Sequence, residues 1–93
     1  MLPFHFNGKP VLNVGNTQEV YNAKPKGDPQ AKANVAGAMA RNFANSSILA
    51  YYIFDEVGKN SLALDKTVTS AVTGNDTNHP TFSLVCGVQC CLG

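Results

Sequence analysis

The sequence predicts an α+β fold with an N-terminal β-hairpin, one central helix of apolar and small residues, and then antiparallel strands. Three observations carry this. Asn7-Gly8 stands between two alternating stretches, Asp28-Pro29 opens a run with helical spacing, and segments 61–73 and 81–88 alternate apolar with polar residues. A hairpin, a helix and later strands in one short chain make an α+β architecture.

Phe4-His5-Phe6 and Val11-Leu12-Asn13-Val14 flank the turn residues. Asn-Gly is the favoured two-residue hairpin turn because both central positions take positive φ. Phe4 and Phe6 then share one face, while His5 points to the other. Pro10 donates no ladder hydrogen bond, so it sets the second strand at an edge or starts its pairing after residue 10. Residues 15–27 contain Asn16, Asn22, Pro25 and Gly27, and read as a loop with at most a short strand over 19–21.

Asp28 is a suitable N-cap, and Pro29 fits the first helical position, where its missing N–H costs nothing. Ala31, Val35, Ala38, Met39 and Phe43 follow as one helical face. Ala33, Ala36, Gly37, Ala40 and Ala44 form a second face, made of small residues. Only Lys32 and Arg41 are charged between residues 30 and 52. Such a helix is buried centrally or between subunits, and the small face is the expected interface.

Residues 47–54 fit helix or strand by spacing, and their β-branched and aromatic content leans toward strand. Over 61–73, Leu62, Leu64, Val68 and Val72 alternate with Ala63, Asp65, Thr67, Thr69 and Ala71. The helical set Leu64, Val68, Ala71, Val72 also fits, but the Val and Thr content favours strand. Residues 74–80 read as a turn-rich loop. A last strand over 81–88 puts Phe82, Leu84 and Cys86 on one face, and 81–93 forms an apolar, cysteine-containing strand or tail.

The chain of 93 residues is expected to be a single small domain, 1–93. Its hydrophobic fraction of 44% excludes the disordered regime. Charged residues make up only 14%, against about 25% in soluble domains. The sequence carries 10 Asn and 10 Ala instead. A surface of amides, hydroxyls and small side chains suits dense packing against copies or partners, whereas freely diffusing domains use charge for solubility. A net charge of +1 gives nucleic-acid binding no support, because that needs clustered Lys and Arg. No basic start precedes a long apolar run, so no secretory signal is expected. The longest apolar stretch, 35–54, holds Arg41, Asn42 and Asn45. One Arg there costs at least ~2.5 kcal/mol on insertion, so no membrane span is expected.

Cys86, Cys90 and Cys91 all lie in the last eight residues. An odd count with a vicinal pair is a poor disulfide framework. With His79 and the distant His5 they could complete a zinc site, although paired C-x-x-C spacing is lacking. Packing as small buried hydrophobes is the favoured reading, with no metal and no cofactor. Cys90-Cys91-Leu92-Gly93 resembles a lipid-accepting tail only superficially, since no polybasic stretch precedes it.

Thr73, Thr77, Thr81 and Ser83 stand upstream of the three cysteines, in the order that thioether rings require. In this the last twenty residues resemble the core of a ribosomally made, modified peptide of the lanthipeptide kind. The resemblance implies a precursor with a cognate synthetase. Enzyme parts are missing: there is no Gly-rich phosphate loop, no Gly-x-Ser-x-Gly turn and no His-Glu-x-x-His helix. Asp55 and Glu56 are adjacent and face different ways, and His79 with Cys86 lacks an orienting third group. No small-molecule substrate is evident.

The expectation is a non-enzymatic structural or assembly subunit. A small virion component (capsid decoration, head-completion or tail) or a filament component fits best, with copies of itself or other structural subunits as partners. The sequence does not name a location, although a virion is compatible with the assembly reading. The alternatives are the modified-peptide precursor and a small metal-binding domain.

Overall fold

The computed structural model describes residues 3–55 and 57–85. Its elements are β1 (Pro3–Phe6), β2 (Lys9–Asn13), α1 (Gln18–Tyr21), α2 (Pro29–Arg41), β3 (Ala50–Tyr52), α3 (Leu62–Asn75) and β4 (Thr81–Phe82). The strands form one sheet in the order β1-β2-β3-β4. The α+β class holds, with the hairpin and the central helix in their expected places. The later strands differ from expectation, since β3 runs parallel to β2 and β4 parallel to β3. Each is reached through a helix, α2 and then α3, and a chain that crosses back over its sheet re-enters in the same direction.

Local signals explain the elements that were foreseen. Asn7 and Gly8 take φ of 53° and 79°, as the hairpin turn demands. Asp28 caps α2, its Oδ2 accepting from the Ala31 N–H at 2.9 Å. Pro10 sits in an inner strand without loss. Its carbonyl accepts from the Leu49 N–H at 2.8 Å, so its nitrogen also faces β3, and the ladder to β3 begins only at Val11.

Two segments depart from expectation. Residues 18–21 form a helical turn rather than a strand, because the Thr17 hydroxyl accepts from the Val20 N–H at 3.3 Å and donates to the Val14 carbonyl at 3.0 Å. Residues 62–75 form α3 in spite of their β-branched content. Val68 and Val72 are fully buried, while Leu64 and Ala71 pack beside them, so the helical spacing meets the core. Thr67 answers its own hydroxyl by donating to the Ala63 carbonyl at 2.9 Å. Leu62, which the strand pattern would bury, is exposed.

Both helices lie on one face of the sheet. Leu12 and Val14 at the end of β2, and Tyr51 and Ile53 along β3, point into the core with Ala33, Ala36, Ala40, Val68 and Val72. The small face of α2 is therefore spent inside the chain. Ala33, Ala36, Gly37 and Ala40 are buried there, Ala44 is half-buried, and of the larger face Val35, Met39 and Phe43 only flank the core. Small side chains let α3 approach closely, and interaxial distance follows the side chains at the crossing. At Gly37 a Cβ would stand 2.5 Å from Asn75 Nδ2 and 3.3 Å from the Ala71 carbonyl oxygen. At Gly15 a Cβ would fall on the Ile53 carbonyl oxygen.

These two contacts differ in what can yield. Gly15→Ala drives a methyl into strand backbone and is expected to destabilise by at least ~1–3 kcal/mol, the usual range for overpacking. Gly37→Leu should cost a similar amount. Gly37→Ala should be near neutral, because the ~1 kcal/mol gained in helix propensity offsets the displacement of the Asn75 side chain. Urea unfolding of the three variants checks the order. A Gly15→Ala protein as stable as wild type would mean that β3 does not approach residue 15 this closely.

Candidate functional site

The described residues offer two features, one polar and buried, one apolar and open. The polar one gathers around Tyr51, which β3 points toward the helices. Its hydroxyl lies 2.5 Å from Asp76 Oδ2 and 2.9 Å from the Ala40 carbonyl oxygen, with one proton to donate between them. Asp76 Oδ2 also meets His79 Nδ1 at 2.7 Å, and Asp76 Oδ1 accepts from the Asn78 N–H at 2.8 Å. His79 Nε2 faces the Ser46 carbonyl oxygen at 3.0 Å, and its ring stands edge-on to Tyr51. Asn78 Nδ2 donates to the Ala44 carbonyl at 2.8 Å. The end of α3 thereby grips β3 and the turn that follows α2.

Electrostatics fixes the roles. Burial alone would raise the Asp76 pKa and is the largest single effect. Hydrogen bonds from Tyr51, His79 and the Asn78 N–H, with the His79 charge, together outweigh it and hold the carboxyl below its ordinary value. Burial, then the Asp76 hydrogen bond and charge, push the Tyr51 phenol well up. Asp76 is thus the acceptor and Tyr51 a permanent donor. Both ring nitrogens of His79 are engaged by the protein, and Tyr51 and Asp76 are buried. The contacts of the cluster tie the end of α3 to β3 and to the turn after α2.

The other residues with chemical promise stand apart. Cys86, Cys90, Cys91 and Glu56 lie outside the described residues, so the zinc and thiol readings fall there. His79 belongs to the clasp around Asp76. His5 sits on β1, at the opposite edge of the sheet from β4. Among the described residues no three of His, Cys, Asp or Glu are grouped to hold a metal. Asp55, Thr73 and Thr77 are exposed. Thr81 lies in β4, and the Ser83 hydroxyl donates to Asp65 Oδ1 at 2.6 Å.

The open feature is the other face of the sheet. Phe6, Val11, Leu49, Ala50, Tyr52, Phe82 and Leu84 line a groove of about 580 Å3 whose walls are wholly apolar. Val11 and Ala50 form the floor at 2% and 6% exposure. Phe6, Leu84 and Phe82 form the rim, at 60%, 51% and 38%. The Tyr52 and Phe82 rings pack at 5.1 Å between centroids, bridging β3 to β4. Sequence reasoning missed both features. An available signal for the groove was β2 itself, because Val11-Leu12 with Val14 is apolar on both faces, as parallel strands are. Asp76 and His79, three apart, were the corresponding signal for the clasp.

The lowered Asp76 pKa carries a pH dependence. A carboxyl held below its unfolded value stabilises the fold above about pH 4, and this contribution is lost as pH falls through the lower folded value. Urea unfolding should therefore show wild type losing stability as pH falls below about 4, with Asp76→Asn missing that share of the loss. Asp76→Ala, which also strands the Tyr51 hydroxyl, should cost roughly 3 kcal/mol at pH 7. An acid slope unchanged in Asp76→Asn would remove Asp76 from the account.

No family model matches the chain, and no curated protein or solved structure is similar to it.

Proposed function

We propose that the chain is a non-enzymatic structural subunit of an assembly, a small virion or filament component that docks through its open sheet face onto copies of itself or other structural subunits. The observation that carries this reading is the apolar groove over β2, β3 and β4. β2, β3 and β4 pair in parallel, an arrangement found mostly in sheets covered on both faces, and the described helices cover one. A small-molecule site would need a few convergent polar groups to orient its ligand, and this groove has none in its walls. The charged fraction of 14% points the same way, toward a chain shielded by neighbours rather than by its own charges. No helix among the described residues is long and apolar enough to cross a membrane.

The test is the state of the chain in its own source. On sedimentation of a gentle extract, the wild type should travel in a high-mass assembly at fixed stoichiometry. Leu84→Lys should shift it to low-mass fractions while its circular dichroism stays unchanged, because Leu84 lies on the rim and not in the core. Wild-type chain found only at the mass of one or two copies would overturn the assembly reading.

A further inference from the structure

We infer that the open sheet face takes a second copy of this chain, face to face about a two-fold axis, making a weak symmetric dimer. This deepens the assembly reading by naming the first partner of the face. Three properties of the surface point to a copy. First, the lining holds no charged residue, so apposing two identical faces brings no like charges together, the usual obstacle to an isologous contact.

Second, the rim is electrostatically suited to one orientation. The ladder pairs Lys9 with Phe6, which puts Lys9 on the open face at the end where β2 begins. Asp55 is exposed beyond the opposite end, where β3 finishes. With the strands of the two sheets running in opposite directions, the end of one sheet that carries Lys9 meets the end of the other that is followed by Asp55, and the two Lys9 are kept apart. Aligned sheet packing within about 30° of parallel or antiparallel accommodates this, with the sheets about 10 Å apart.

Third, the area is of the right order. The exposed parts of Phe6, Phe82 and Leu84, with the half-covered Leu49 and Tyr52, leave roughly 400 Å2 of apolar surface, taking large side chains at about 150–250 Å2 each. Two copies would remove about 800 Å2, and the Lys9 and Asn13 rim brings the total to about 1,000 Å2, the lower limit for a specific interface. Such an area supports association on the order of 10–100 µM rather than a permanent dimer.

Sedimentation equilibrium of the purified full chain, in reductant, measures this directly. A monomer–dimer equilibrium in that range is expected, with Phe6→Glu and Leu84→Glu each weakening it by about tenfold or more. Both side chains are exposed at the rim, so their loss should leave the fold intact, and far-UV circular dichroism checks that. Should either variant fail to fold, amide shifts of the wild type on dilution give a second readout. Changes confined to β1, β2, β3 and β4 support the dimer, and changes confined to α2 and α3 overturn it. A chain that stays monomeric at high micromolar concentration overturns it too, while high-mass material in the source extract would leave the broader assembly reading standing. Conversely, a dimer without high-mass material would sink that reading and keep this one.

Discussion

A strand can lie parallel to its sequence neighbour only if the chain crosses back over the sheet between them. Two such crossings, β2 to β3 and β3 to β4, step in the same direction along the sheet. Crossings of this kind share one hand, so α2 and α3 fall on the same face and must pack on each other as well as on the strands. The remaining architecture follows from that crowding. Small residues at Ala33, Ala36, Gly37 and Ala40 bring the helices together. Among the described residues the opposite face carries no helix, although the strands under it are apolar on both sides.

The polar clasp answers a second demand of the same arrangement. A helix leaves its last carbonyls without helical partners, and side-chain donors can satisfy them and the carbonyls of the turn beyond. The Tyr51 hydroxyl lies against the Ala40 carbonyl, while Asn78 and His79 reach Ala44 and Ser46 in the turn beyond α2. Asp76 holds these donors in place, yet it follows the C-terminal end of α3, where the helix dipole disfavours negative charge. Its hydrogen bonds from Tyr51, His79 and the Asn78 N–H compensate for both the dipole and the burial. Arg41 and Asn75 close the same helix ends on the outside, at 2.6 Å and 3.1 Å.

What was legible in the sequence was local. The turn at Asn7-Gly8 and the cap at Asp28-Pro29 depend on φ and on hydrogen bonds within a few residues, and both stand as read. Strand direction is not local, because the chemistry of Ala50–Tyr52 is the same in parallel and antiparallel pairing, and the helix at 62–75 had to be recognised first. That helix was obscured by Val68, Thr69 and Val72, whose preference for strands is worth less than the burial that a helix gives Val68 and Val72. The small face of α2 was correctly seen as a place of close approach, but pattern alone does not say whether the neighbour belongs to the same chain. Tyr51, Asp76 and His79 are joined only by the fold.

The sheet's edges decide how an exposed apolar face of this kind can associate. Open strand edges invite another chain to add on and to keep adding, because each added strand offers a new edge. Here β1 is four residues long and begins at a proline, and β4 is two residues long. Short edges, one carrying Pro, give an incoming strand few backbone partners. In the proposed assembly, association would thereby be directed to the face, where Phe6, Phe82 and Leu84 would gain by losing water and the backbone is already paired. Face-to-face contact about a two-fold axis consumes the surface that makes it, so it closes at two copies instead of propagating. A larger assembly would then have to be built from other surfaces, with this contact as its repeating unit.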